Sequence, residues 1–152
     1  MVESRLEALM TSSADALISS AACGIDLIGL KIAEALKLSA TIILPSEPDQ
    51  FKSTSVIDRP GQWEQLYDSV IARAQENGTL RVLDLKGLRH IHKEVNRRII
   101  EEGLNQSGSK SGVLAVAGWE GQSKGDKDNT ADFIKKAVDL GLLIKEVSTL
   151  ER

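Results

Sequence analysis

The sequence predicts an α/β fold: a doubly wound, Rossmann-like, mainly parallel sheet of four to five strands flanked by helices. Two observations predict it. Short apolar runs alternate along the chain with stretches whose apolar residues recur at helical spacing, and that alternation implies parallel pairing through right-handed crossovers. The runs themselves lack strict period-two patterning, as strands buried on both faces do.

Each element can be justified in turn. Val2, Leu6, Leu9 and Met10 share one face of an opening helix. A short run, Ala16-Leu17-Ile18, then meets small residues at Ser19–Gly24, and helical spacing resumes with Ile25, Ile28, Ile32, Ala35 and Leu36. Ala40–Leu44, closed by Pro45, reads as a buried strand. Ser46–Pro60 carries two prolines among mixed polar residues and reads as a long loop. Trp63, Leu66, Tyr67, Val70, Ile71 and Ala74 then form the cleanest helical stripe, stopped by Asn77-Gly78. A strand is expected at Leu80–Leu85, a helix through Ile91, Val95, Ile99 and Leu104, and a buried strand at Val113–Ala117. A Gly/Lys/Asp loop at Gly118–Asn129 precedes a helix using Phe133, Ile134, Ala137 and Val138. That helix ends near Gly141, and a last strand occupies Leu143–Ser148. Folds of this class usually open with a strand. Either such a strand precedes this stretch, or the sheet is smaller than usual.

Composition narrows the function. The 152 residues suit one domain, 1–152, with no linker or internal repeat. With 41% hydrophobic and 27% charged residues the chain is not of the disordered class. No apolar run reaches the ~18 residues of a membrane span, and the acidic start is not a secretory signal. One cysteine makes a cytoplasmic setting the default. A pI near 5.5 argues against a generic nucleic-acid surface. Aromatics amount to 3%, so the core is aliphatic and each ring merits locating.

Ligands of open parallel sheets bind beyond the carboxyl ends of the strands. That rule selects four segments: Ser19–Asp26, Pro45–Asp58, Asp84–Gly87 and Gly118–Thr130. In the first, Ser20, Ala21, Ala22 and Gly24 let a ligand approach the backbone, and the following helix start favours anions. A tight turn needing small residues for packing accounts for them equally well. Neither G-x-G-x-x-G nor a Walker A sequence is present. Asp26, in the helix's first turn, suits the dipole; as a ligand contact it suits ribose hydroxyls rather than phosphate. In the second segment Lys52, Ser53 and Ser55 combine a cation with hydroxyls. In the last, Gly121, Gly125 and Thr130 lead into a helix that Asp128 or Asn129 would cap, with Trp119 a stacking surface for a base.

Metal and covalent chemistry have little support. His90 and His92 are two apart, so they do not share a helix face, and Cys23 has no nearby histidine. No metal, cofactor or catalytic residue is expected. Arg89, His90, His92, Lys93, Arg97 and Arg98 read mainly as a solvated face.

Taken together, these segments resemble a known group. Ala22-Cys23-Gly24-Ile25-Asp26, within Ala16–Glu34, resembles the glycine–hydrophobic–aspartate turn of the SLOG superfamily. That Rossmann-like group includes DprA/Smf and the LOG phosphoribohydrolases. Leu44-Pro45, Phe51-Lys52-x-Thr54-Ser55-Val56 and Asp58-Arg59-Pro60-Gly61-x-Trp63 resemble a loop in bacterial SLOG-like domains attached to repeat or signalling modules. Asn96 resembles a recurrent asparagine. Trp119-Glu120-Gly121, Gly125-Asp126 and Thr130-Ala131-Asp132-Phe133 resemble the family's strand end and glycine-rich turn. The resemblance spans about residues 14–150.

It implies a nucleotide or nucleotide-derived ligand held by both small-residue turns, with Asp26, Asn96 or Lys52 orienting it. The LOG motif P-G-G-x-G-T-x-x-E is not kept: Thr130 is retained, the glycine pair is missing, and Phe133 replaces the glutamate. The expected function is therefore non-catalytic binding or sensing. The alternatives are a divergent LOG-like nucleotide hydrolase or N-glycosidase, using Asp132, Glu120 or Asp84, and an interaction module that has lost its ligand. Other domains of a longer chain or a second copy are the remaining expected partners.

Overall fold

The computed structural model describes residues 2–22, 24–57, 63–85, 89–119 and 127–148. Along the chain run α1 (Val2–Ser13), β1 (Ala16–Ser19), α2 (Ile25–Ala35), β2 (Ser39–Leu44), α3 (Pro48–Ser55), α4 (Trp63–Asn77), β3 (Leu80–Val82), α5 (Ile91–Ser107), a 3₁₀ turn at Lys110–Gly112, β4 (Leu114–Trp119), α6 (Lys127–Asp139) and β5 (Leu143–Ser148). The fold is α/β, Rossmann-like in its alternation, and among the described residues every strand pairing is parallel. Its strands form two sheets rather than one: β1–β2–β3 and β4–β5. The backbone groups into two compact units, Glu3–Arg89 and the stretch from His90 onward.

In Glu3–Arg89 the register places Ser19 beside Ile42 and Leu44 beside Val82. The carboxyl ends of the three strands therefore face one edge of this sheet. Leu27, Leu30, Ile42, Leu44, Phe51, Val56, Tyr67, Val70, Ile71 and Ala74 form its buried core. The stripe read on α4 lies in or against this core, Trp63 and Leu66 being partly buried. Burial of this aliphatic surface is the main stabilising term, roughly 25 cal/mol per Å² removed from water.

Three expectations change here. Ser46–Pro60 contains α3, with Pro48 in its first turn, where a missing N–H costs nothing. Phe51, expected at the ligand end of the loop, is instead only 3% exposed and stacks with Tyr67 at a centroid distance of 6.2 Å. The third strand stops at Val82 instead of reaching Leu85.

The helices that precede β2, β3 and β5 end alike. Leu38, Thr79 and Leu142 donate their amides to Ala33, Ala74 and Ala137, closing the last helical turn. The residue just before each is left-handed: Lys37 (φ 59°), Gly78 (φ 71°) and Gly141 (φ 74°). Glycine adopts this conformation without strain, which is why Asn77-Gly78 is a legible stop. Lys37 adopts it without that advantage.

In the second unit β4 and β5 run parallel from Leu114 beside Leu143 to Trp119 beside Ser148. Ile100, Ala115, Ala137 and Leu142 form its core, with Leu104, Val113, Phe133 and Ile144 packed around them. Phe133 is thus a core ring. α6 begins at Lys127, so Asp128 and Asn129 lie inside its first turn instead of capping it.

Candidate functional site

The turn after β1 is the best-defined candidate. Ala21 is fully buried in the core and anchors the turn. Ser20, Ala22 and Gly24 are partly exposed. Gly24 precedes α2 at φ 96°, ψ −133°, a conformation essentially restricted to glycine, and supplies no side-chain cap. The first amides of a helix have no intrahelical acceptor, so an uncapped start beyond a parallel strand favours negative charge. Cys23 lies outside the described residues.

Asp26 brings such a charge from within. Its Oδ2 accepts the Ala22 amide at 3.3 Å. The Ser19 hydroxyl reaches both the Ser20 carbonyl, at 2.7 Å, and the Asp26 carboxyl. The residue keeps some exposure, but its carboxyl is surrounded by protein. Burial raises its pKa from 3.8 to about 6, against the opposing pull of the Ala22 and Ser19 hydrogen bonds.

The second segment is committed elsewhere. Lys52 Nζ lies 2.9 Å from Asp68 and 3.7 Å from Glu64, bracing α3 against α4. The Asp68 hydrogen bond raises its pKa despite partial desolvation. The Ser53 hydroxyl donates to the Gln50 carbonyl, and the Ser55 and Thr54 hydroxyls are 3.4 Å apart. A groove of about 450 Å³ lies between α2 and α4, lined by Leu30, Glu34, Ser39, Arg73 and Asn77 among others. It opens at the amino end of β2, away from the turn.

In the second unit Asn96 on α5 donates to Asp132 on α6 at 3.2 Å, and Lys136 lies 2.6 Å from both carboxylate oxygens. Burial pushes the Asp132 carboxyl upward, but Lys136, Asn96 and Lys93 outweigh it, leaving its pKa below the ordinary value. Asp132 is therefore ionised at neutral pH and poorly suited to give a proton to a leaving group. Because its pKa is depressed, its stabilising contribution is present above 3.8 and lost as pH falls through the folded value. Asp132→Asn is expected to cost about 1 kcal/mol at pH 7, read as a lower urea midpoint, with the difference shrinking as pH falls below 3.8.

Thr130 lies in α6 and Trp119 is the last residue of β4; the Trp119 ring, Gly121 and Gly125 lie outside what is described. On α5, Arg97 pairs with Glu94 and Glu101, and Arg98 with Glu94, while Lys93 acts on Asp132 of α6. His90 and His92 are exposed. Among the described residues no group of three His, Cys, Asp or Glu is arranged for a metal ion, and no helix is long and apolar enough to cross a membrane. The sequence missed the reach of Asp26 back to Ala22. The spacing of four residues was visible, but the direction of the carboxylate was not.

Comparison with protein-family models and with curated proteins finds no match to this chain.

Proposed function

We propose that this chain is a non-catalytic binding domain for a nucleotide or nucleotide-derived ligand, acting in the cytoplasm. The observation that carries the reading is the β1–α2 turn. A glycine-restricted bend and a helix start without a side-chain cap lie at the carboxyl edge of a parallel sheet. The Gly24 amide and the first amides of α2 hold phosphate there, and Asp26 accepts from a ribose hydroxyl. The SLOG resemblance supports the same choice. Asn96, Trp119, Gly121, Gly125 and Thr130 enter the proposal through that resemblance alone. Asp132, held ionised by its neighbours, supports binding without turnover.

The test is mass spectrometry of small molecules released from the purified protein, followed by titration calorimetry with a nucleotide panel. A co-purified nucleotide and a measurable heat are expected. Gly24→Val, which forces a branched side chain into a glycine-only conformation, is expected to weaken binding at least about tenfold, or roughly 1.4 kcal/mol. Circular dichroism checks that this variant remains folded. No bound molecule and no heat from any nucleotide would sink the reading.

A second reading, a domain that joins protein partners without a ligand, is favoured by Lys52 and the Ala22 amide, both already engaged internally. That negative result, with a partner retained on the purified chain, would establish it instead.

A further inference from the structure

We propose that a second copy of this chain docks at the outer edge of β5, continuing the β4–β5 sheet through a two-fold axis and laying α6 against its counterpart. The inference concerns the second unit alone and stands apart from the nucleotide reading.

Three observations carry it. The first is where apolar surface is left uncovered. Among the described residues the large exposed hydrophobics are Ile57, Val82, Val138, Leu140 and Leu143. Three of these five fall between Val138 and Leu143, from the last turn of α6 to the first residue of β5. Exposed apolar side chains scattered singly are ordinary, whereas a cluster marks a surface that meets something.

The second is that the cluster brackets one strand edge. Among the described residues β5 pairs with β4 and with no other strand. Ile144 packs toward the core formed with Ala137 of α6, so Leu143, 69% exposed, projects from the opposite face of the sheet. On α6, Asp132 takes the flank that meets α5 through Asn96. Ile134 and Val138 lie across the core stripe Phe133–Ala137, on the flank turned away from α5. A partner resting on α6 alone would leave Leu143 bare. A further strand beside β5, carrying its own helix, covers both faces together. The spacing agrees, because α6 packs over both β4 and β5. Strands lie about 4.8 Å apart, so helices over adjoining strand pairs lie about 9.6 Å apart, within the roughly 8–10 Å of packed helices.

The third is self-complementarity. Lys135 and Asp139 run beside the Ile134–Val138 flank, 3.0 Å apart, with side chains 76% and 61% exposed. A two-fold axis through the sheet sets α6 antiparallel to its counterpart. Each Lys135 then comes level with Asp139 of the second copy, and each Ile134 with its Val138. A strongly acidic or basic partner would meet a like charge on this rim, whereas a second copy meets an opposite one at both places.

The experiment is sedimentation velocity of the full chain from about 1 to 200 µM, with an expected dimer dissociation constant of about 10 µM. Val138→Glu and Leu143→Glu change exposed positions on the two sides of the edge. Each should raise that constant about tenfold or more with an unchanged circular-dichroism spectrum, since the dimer would bury an unpaired charge. Lys135→Glu and Asp139→Lys each set like charges against one another across the axis, and each alone should weaken the dimer about fivefold. An equimolar mixture of these two variants should recover the parent's dimerisation, because every pair across the axis is opposite again. A chain that stays monomeric throughout overturns the proposal. So does a dimer indifferent to either Val138→Glu or Leu143→Glu, or a loss from the charge reversals that mixing does not restore.

Discussion

Replacing Asp26 by asparagine should make the protein more stable at pH 7.5, by about 2 kcal/mol and at most about 3. The sign follows from the direction of the shift. The folded pKa is raised to about 6 against 3.8 for an ordinary aspartate, so between those values the folded chain binds more protons than the unfolded one. Stability then falls as pH rises through this window, and the full penalty is present above pH 7. Below 3.8 both states are protonated and the penalty vanishes. Asparagine is similar in shape and keeps an oxygen to accept the Ala22 amide, but it carries no charge to desolvate. Urea unfolding of both proteins at pH 7.5 and pH 4 checks this. The midpoints should differ clearly at the higher pH and converge at the lower one. A destabilised asparagine variant at pH 7.5 would mean that the carboxylate's bonds outweigh its burial.

The second large effect lies at Tyr67, where removing the side chain should cost about 4 kcal/mol. Its ring is 2% exposed and stacks on Phe51, and its hydroxyl donates to the Pro48 carbonyl at 2.7 Å. Burial raises the phenol's pKa, with Asp49 and Asp68 adding to it, so the hydroxyl remains a donor at any ordinary pH. Tyr67→Phe isolates that bond and should cost about 1 kcal/mol. Tyr67→Ala removes the stacked surface as well and leaves a cavity between α3 and α4. Thermal unfolding of the two variants separates these contributions. Equal losses in both would place the whole effect in the hydroxyl and contradict the packing argument.

Tyr67 also shows what could be read from the sequence. Its own position was legible, because α4 repeats apolar residues over 15 residues and periodicity needs that length. Its partner helix was not. α3 has eight residues, one buried apolar side chain and a proline that resembles a loop marker. Pro48 followed by Asp49 is nevertheless a helix-start pattern, and weighing it above the second proline would have found α3. The missed helix changed the reading of Lys52, which braces α4 through Asp68 instead of standing free beside a ligand.

The turn after β1 was legible for a different reason. Small residues between an apolar run and a helical stripe define a short list of backbone shapes, and Gly24 adopts one of them. The state of Asp26 was not legible. A first-turn aspartate reads as a favourable dipole partner, and only the surrounding three-dimensional packing makes it costly. The hydrogen bond between Asn96 and Asp132 was equally hidden, since it joins side chains 36 residues apart on two helices.

The shared helix ending ahead of β2, β3 and β5 has a consequence for folding kinetics. In each case the bond that halts the helix spans five residues, from Ala33 to Leu38, Ala74 to Thr79, and Ala137 to Leu142. Closing so short a segment takes far less search than pairing two strands distant in sequence. The offset between each helix and the strand that follows it can therefore be established before the sheets assemble. Slow steps are left to strand pairing, where β1 must find β2 and β2 must find β3. Variants at Lys37, Gly78 or Gly141 consequently belong among those that disturb the early, local phase of folding, while variants within the strands act on the late one.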